Sequence, residues 1–136
     1  MPLPSFSSPE RSGDWFLPAP DEAVWVGVLR VELHIPGARS LKDRRMGVAH
    51  VRDRVRARHG FAVAEVGHKE NHQRAVLAIS SVSGEPTPLR SALDQLAGEI
   101  ESWGKVLVAN RHVELWRALG EPGLPAPRGD DPPDPR

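Results

Sequence analysis

The chain has 136 residues, of which 39% are hydrophobic, and a formal net charge of zero. This length allows one domain with a buried core and is short for two. Because the chain contains no cysteine, disulfide frameworks, thiolate catalysis and cysteine-ligated zinc or iron–sulfur sites are excluded, and a reducing, cytoplasmic location is expected. Residues 1–20 hold no long apolar run, so we expect neither a signal peptide nor a membrane span.

Both ends of the chain are rich in proline. Eleven of the 14 prolines lie in residues 1–22 and 118–136, and such segments bury too little apolar surface to offset their ordering entropy. We predict disordered arms there and a folded domain over residues 23–117. Trp15 and Phe16 are an exception in the first arm, and we expect this pair either to dock on its own domain or to bind a partner.

A strand is predicted over residues 24–35, VWVGVLRVELHI, because apolar residues alternate there with charged residues and histidine. Gly27 falls on the apolar face, where a closely crossing helix would need a small residue. A helix should follow from Ser40, a good N-cap with Asp43 three residues later, to about His59 before the stop signal Gly60.

The second half of the domain repeats this order. Residues 61–67 and 74–82 are predicted strands joined by a polar turn, Thr87-Pro88 has the pattern that opens a second helix, and residues 105–116 form the last strand. The order β-α-β-β-α-β predicts an α+β, ferredoxin-like sandwich, with an antiparallel four-stranded sheet and two helices on one face.

The first helix carries an excess of positive charge, since residues 37–60 hold eight Lys and Arg against two Asp. At about 100° per residue, four of these cations share one flank: Lys42, Arg45, Arg52 and Arg56. Together with Arg39 and Ser40 at the helix start, they are candidates to bind anions, above all RNA phosphates. Cations near a helix N-terminus oppose the helix dipole, which favours a functional reason for them.

A structural explanation of these charges stays open. Arginine stems cover apolar surface, and Asp94, Glu99 and Glu101 of the second helix would supply counter-charges. Arg44 differs from the others because it lies within the apolar stripe of Val48, Val51 and Val55. It is kept among the anion-binding candidates, but a structural role is favoured, with Glu32 or Glu65 as a partner for its buried charge.

Other motifs give no site for chemistry. The six histidines are scattered, and His68 and His72 have helical spacing but lie in a predicted turn without an HExxH motif. Walker, GxGxxG, GxSxG and DxDxDG patterns are absent. We therefore predict no metal, no cofactor and no enzymatic activity.

The sheet face away from the helices is predicted to carry an apolar patch made of Val24, Val26, Val28, Val76 and Ala78. Exposed apolar patches usually mark contact surfaces. We expect a symmetric homodimer formed through this face.

Three segments resemble the bacterial YlxP-like family, a domain of unknown function: VGVLRVELHIPGARSLKDRR (26–45), VAEVG (63–67) and QRAVLAI (73–79). The resemblance covers roughly residues 24–116 and implies a ferredoxin-like domain without established enzymatic activity. Family members are often encoded beside genes for translation initiation and ribosome maturation factors, which implies a role near the ribosome or RNA. One departure is His72, which stands where a tryptophan is usual.

These observations predict a non-enzymatic, cytoplasmic protein whose first helix contacts phosphates of RNA or of a ribosomal subunit. Two alternatives stay open. The chain could be a homo-oligomeric protein-interaction module without nucleic-acid binding, or a small domain that binds a phosphorylated or carboxylated ligand near residues 35–45.

Overall fold

The computed structural model describes residues 22–67 and 71–119. Its elements are β1 (Val24–His34), α1 (Leu41–His59), β2 (Ala62–Glu65), β3 (Arg74–Ser83), α2 (Pro86–Ser102) and β4 (Leu107–Leu119). This is the predicted β-α-β-β-α-β order. Strand β4 continues beyond residue 117 to Leu119. The rest of both proline-rich segments, with Trp15 and Phe16, lies outside the described residues.

The four strands form one antiparallel sheet in the order β2-β3-β1-β4. Strand β1 therefore lies between β3 and β4, while β2 and β4 form the two edges. With two helices packed on the sheet, this topology is that of a ferredoxin-like sandwich. The predicted α+β fold class is confirmed.

The core lies between the helices and one face of the sheet. In β1, Leu29, Val31 and Leu33 are fully buried, and they stand opposite Ile79, Leu77 and Ala75 of β3. Directly opposed residues of an antiparallel pair share a face, so the alternation in both strands builds one apolar layer. The buried residues of both helices join these strand residues in a single hydrophobic cluster.

Helix α1 has the predicted start and end. The Ser40 hydroxyl accepts a hydrogen bond from the Asp43 N–H (3.1 Å), and the Asp43 carboxylate accepts one from the Arg39 N–H (3.0 Å). At the other end Gly60 adopts a left-handed conformation with φ 69°, and its N–H donates to the Arg56 carbonyl (2.9 Å). Local signals therefore define both boundaries of α1.

Helix α2 begins earlier than predicted. Its first residue is Pro86 and its N-cap is Glu85, so the predicted opening of the helix at Thr87-Pro88 was wrong by two residues. Both Pro86 and Pro88 fit a first helical turn, where no N–H is needed, and the helix uses the earlier one. Helix α2 crosses close to Gly27, as predicted: a Cβ there would lie 2.7 Å from Leu93 Cδ1 and 3.1 Å from Leu89 Cγ, so these buried side chains would have to shift.

A candidate anion-binding surface on helix α1

Five cations along one flank of α1 form the candidate surface, which we call the basic ridge. The basic ridge consists of Arg39, Lys42, Arg45, Arg52 and Arg56. All are exposed except the half-buried Arg52. From Lys42 to Arg56 the helix advances 14 residues, which corresponds to about 21 Å at 1.5 Å per residue. The structure thus places the ridge residues in a row along the surface, as the helical spacing predicts.

Three ridge cations have no acidic partner in the part of the chain that the structure describes. No carboxylate of residues 22–67 or 71–119 lies within 4.0 Å of the side-chain nitrogens of Arg39, Lys42 or Arg45. Their positive charges are therefore available to an external anion.

The other two ridge cations are only weakly engaged. Arg52 Nε lies 3.2 Å from Asp53 Oδ1, and these two side chains are 39% and 68% exposed, so solvent screens the pair. Arg56 Nη2 donates to the Val63 carbonyl of β2 (3.2 Å). This bond uses one of the five N–H groups of a guanidinium and anchors the arginine beside the edge strand.

Ser40 serves the helix itself. Its hydroxyl oxygen accepts the Asp43 N–H, and the Asp43 carboxylate lies at the same end of α1. A carboxylate there already interacts with the positive end of the helix dipole. A phosphate near this end therefore depends on the arginine and lysine side chains more than on the free backbone N–H groups of the helix.

Arg44 does not belong to the surface. Its side chain is only 3% exposed, Nη2 forms an ion pair with Glu65 of β2, and Nε donates to the Arg74 carbonyl of β3 (2.9 Å). Its inclusion among the anion-binding candidates was therefore wrong, because a guanidinium held in the core cannot reach an external phosphate. Arg44 instead has the structural role that was favoured from the sequence, as a buried charge paired with Glu65.

Arg54 and Arg58 on the opposite flank of α1, and His59 at its last position, contact α2. Arg58 Nε and His59 Nε2 lie 3.1 Å and 2.8 Å from the two carboxylate oxygens of Glu99. The Arg54 guanidinium lies over the Trp103 ring, 5.1 Å from its centroid. The counter-charge that the structural explanation required from α2 is thus present, but it serves this flank and not the basic ridge.

The other two acidic residues of α2 do not neutralise the ridge either. Glu101 accepts the Val108 N–H (3.2 Å), and the main-chain carbonyl of Asp94 accepts Arg111 Nη1 (2.8 Å). Both contacts lie between α2 and β4, on the side of the sheet away from β2. The basic ridge therefore keeps its charge in the described part of the domain.

Two other features are absent from the part of the chain that the structure describes. Within residues 22–67 and 71–119, no group of three or more His, Cys, Asp or Glu is placed to hold a metal ion. His68 lies outside the described residues, so the spacing of His68 and His72 has no structural counterpart here. In the same described ranges, no helix has the length and apolar content to cross a membrane.

A family model described as "Protein of unknown function (DUF503)" matches residues 26–113. This match covers well over half of the 136 residues. The chain belongs to the DUF503 family. None of the curated proteins matches the chain. The matched residues include the whole basic ridge, and the proline-rich segments lie outside them.

The DUF503 domain also exposes a second surface, the open face of its sheet. Val26 and Val28 of β1 stand opposite Val82 and Ser80 of β3 on this face, and Trp116 of β4 stands opposite Val26 on the other side. Val82 is 65% exposed, while Val24, Val26, Val28 and Ala78 are half-buried. The predicted apolar patch is therefore present at the β1 start of the open face.

Two features of this patch differ from the prediction. Val76 is only 1% exposed, so including it among the interface residues was wrong, since its side chain is already buried within the single chain. Val82 and Trp116 were missed. Alternation along β3 from Ala78 puts Val82 on the same face and could have revealed it. Trp116 was harder to assign, because register shifts at both ends of the β1–β4 pairing disturb the alternation of β4.

Proposed function

We propose that this DUF503 chain is a non-enzymatic, cytoplasmic RNA-binding protein that acts with the ribosome or in translation. Its basic ridge holds RNA phosphates. The observation that carries the proposal is the unequal pairing on α1. On the flank toward α2, Arg58 has a carboxylate partner and Arg54 an aromatic one, whereas Arg39, Lys42 and Arg45 have no carboxylate partner among the described residues.

The shape of the ridge favours a polymer of phosphates over a small ligand. A single phosphorylated compound contacts a few side chains at one point, but the cations here extend over about 21 Å of helix. Guanidinium groups bind phosphate oxygens in a forked geometry, and successive phosphates of a nucleic-acid backbone present such oxygens in a row. A basic row of this kind suits binding to the phosphates of a nucleic-acid backbone.

The ribosomal setting rests on family resemblance. We propose that the chain belongs to the YlxP-like group within DUF503, because the three resembling segments all fall inside residues 26–113. The gene neighbourhood of YlxP-like members then makes ribosomal RNA the first partner to test.

The test is sedimentation of cell lysate in density gradients at low and moderate salt, following the chain beside ribosomal subunits. We expect the wild type to co-sediment with a subunit and to be released by salt, and the Arg39→Glu/Arg45→Glu variant to stay at the top. With purified RNA, the log–log salt slope should fall by about 0.7–0.9 for each phosphate that the variant no longer neutralises. Folding of the variant is checked by circular dichroism.

The matched control is Arg90→Glu/Lys105→Glu, which changes the net charge equally. Arg45 and Arg90 are both exposed and both fifth in their helices, α1 and α2. The control should bind like the wild type. If both variants lose binding equally, net charge and not the basic ridge is responsible. If the wild type itself stays at the top and purified RNA does not bind, the proposal is wrong, and tripolyphosphate then tests the small-anion alternative.

A second proposal concerns the open face. We propose that two copies associate through the patch of Val24, Val26, Val28, Val82 and Trp116, since Val82 is 65% exposed opposite the half-buried Val26. Contiguous exposed apolar residues on a sheet face favour burial against a second surface, and a self-complementary pair of identical faces gives a closed dimer.

Sedimentation equilibrium tests the dimer with two matched variants. Val82→Glu should convert a dimer into a monomer, whereas Met46→Glu, at a residue that is 63% exposed on α1, should leave the dimer intact. A monomeric wild type would contradict the proposal. It would leave docking of Trp15 and Phe16 on the chain's own domain as the next explanation for the patch.

A further inference from the structure

The C-terminal segment carries a compact acidic stretch. Residues 130–134 read DDPPD, which puts three carboxylates within five residues. Acidic residues of the N-terminal segment, by contrast, are spread over Glu10, Asp14 and the adjacent Asp21 and Glu22. Arg128 and Arg136 flank the acidic stretch, and its three carboxylates are the densest run of acidic residues in the sequence.

The path from the end of β4 to the ridge is short enough for this stretch. Leu119 pairs with Val24 at the start of β1, and α1 returns toward that end of the sheet after starting beyond the end of β1. Crossing from β4 to β2 covers three strand spacings, about 14 Å, and the helix layer adds about 10 Å in height. Arg56 therefore lies on the order of 20 Å from Leu119.

A proline-rich chain spans that distance before it reaches residue 130. Six of the 17 residues in 120–136 are proline, a composition that favours polyproline II with about 3.1 Å per residue. Eleven such residues, from Leu119 to Asp130, extend about 34 Å. This exceeds the distance to Arg56 and leaves length to follow α1 toward Arg45, whereas Glu121, two residues beyond Leu119, reaches only about 6 Å.

The charge spacings also agree. Asp131 and Asp134 are three apart in sequence, a spacing that polyproline II would place on one side at about 9 Å. In an α-helix, residues seven apart lie on one side and about 10.5 Å apart, which is the separation of Arg45 and Arg52. Two carboxylates of the acidic stretch therefore match two cations of the ridge.

Resting on the proposed function, we infer that the acidic stretch of the same chain docks on the basic ridge and competes there with RNA phosphates. The tether gives the stretch an effective concentration on the order of millimolar, but each exposed ion pair contributes little and is screened by salt. Docking is therefore partial and reversible. It weakens RNA binding by about three- to tenfold at low ionic strength, and the effect vanishes as salt rises.

Paramagnetic relaxation detects the docking without RNA. Because the chain has no cysteine, Gly129→Cys carries one spin label beside the acidic stretch in the full-length protein. At low salt, we expect amide signals of the ridge residues Lys42, Arg45 and Arg52 to broaden more than those of Arg58 on the opposite flank. Asp130→Asn/Asp131→Asn/Asp134→Asn should abolish this broadening, and dilution should leave it unchanged because the contact lies within one chain.

Fluorescence anisotropy with a short labelled RNA of mixed sequence tests the competition. The same triple Asn variant, without the label, should bind this RNA about three- to tenfold more tightly than the wild type at low salt. The matched control is Glu10→Gln/Asp14→Asn/Asp21→Asn, which changes the net charge equally in the other segment. It should bind about as the wild type does.

The outcomes separate this inference from the proposed function. If the amide signals of the ridge do not broaden at low salt, the docking is wrong, regardless of how the protein binds RNA. If the broadening disappears on dilution, the contact is not within one chain. An equal gain in RNA affinity for both charge variants overturns the competition, because it reports only long-range charge. If the ridge broadens but no variant binds RNA, the docking stands and the proposed function fails.

Discussion

The two flanks of α1 carry the same types of residue but differ in whether their charged side chains have partners within the domain. Toward α2, Arg58 and His59 share the carboxylate of Glu99, and Arg54 lies over Trp103. Toward β2, Lys42 and Arg45 have no carboxylate within 4.0 Å in residues 22–67 and 71–119. A basic helix is therefore not a uniform surface, since the elements packed beside it decide which of its charges are paired.

The neighbours explain the difference. Helix α2 is 17 residues long and brings Glu99 beside the end of α1. Strand β2 has four residues, and its Glu65 pairs with the buried Arg44 rather than with the ridge. What β2 offers the ridge is a main-chain carbonyl, that of Val63, which accepts a hydrogen bond but carries no net charge. Within residues 22–67 and 71–119, positive charge therefore remains uncompensated on the β2 side.

The largest expected effect is on stability and comes from Arg44. Arg44→Met removes the buried guanidinium and leaves Glu65 and the Arg74 carbonyl without their donors, so the free energy of unfolding should fall by about 2–4 kcal/mol. Arg45→Met, one residue later on the exposed side, should change it by less than about 0.5 kcal/mol. Urea denaturation of both variants measures the difference.

A double substitution checks the reason for this loss. Arg44→Met/Glu65→Met removes the charge left behind and should recover part of the stability, because the cost of breaking a buried pair lies mainly in the unpaired partner. Equal unfolding free energies for the Arg44→Met and Arg45→Met variants would show that Arg44 is not held as the structure describes.

An intermediate effect is expected at the paired flank. Glu99→Gln removes the charge that Arg58 and His59 share, and these side chains are partly exposed, so unfolding free energy should fall by about 0.5–1 kcal/mol. RNA affinity should stay within about twofold of the wild type, since the freed Arg58 lies on the flank opposite the ridge. A rise in affinity beyond about threefold would mean that any unpaired cation of α1 binds RNA, wherever it lies.

Local signals in the sequence predict α1 well. Ser40, Asp43 and Gly60 each act within a few residues, so the helix boundaries follow without tertiary information. The position of Arg44 in the apolar stripe likewise predicts its burial. Its pairing with Glu65 rather than Glu32 does not follow, because that depends on how β2 pairs with β3. In the structure Glu32 pairs with Arg74 instead.

The sequence predicts least well which surface charges stay unpaired and which apolar side chains stay exposed. Periodicity placed the ridge correctly, but which flank faced Glu99 depends on the packing of α1 against α2. On the open face, alternation gives the side of the sheet but not the depth of burial, which is why Val76 was assigned to the interface although it is 1% exposed. The exposure of a side chain depends on neighbours distant in sequence, and the pattern along one strand does not contain them.

The smallest expected effect tests whether the fold itself opposes the ridge. Lys42 is the second residue of α1, where the helix dipole disfavours a cation, so Lys42→Glu should raise the free energy of unfolding by about 0.5–1 kcal/mol and Lys42→Gln by about half as much. The same Lys42→Glu variant should bind RNA more weakly and with a shallower salt slope. Higher stability together with weaker RNA binding would show that the Lys42 charge supports binding and destabilises the helix. If Lys42→Glu instead lowers stability, Lys42 makes a favourable contact within the native protein, and the uncompensated character of the ridge at this position is refuted.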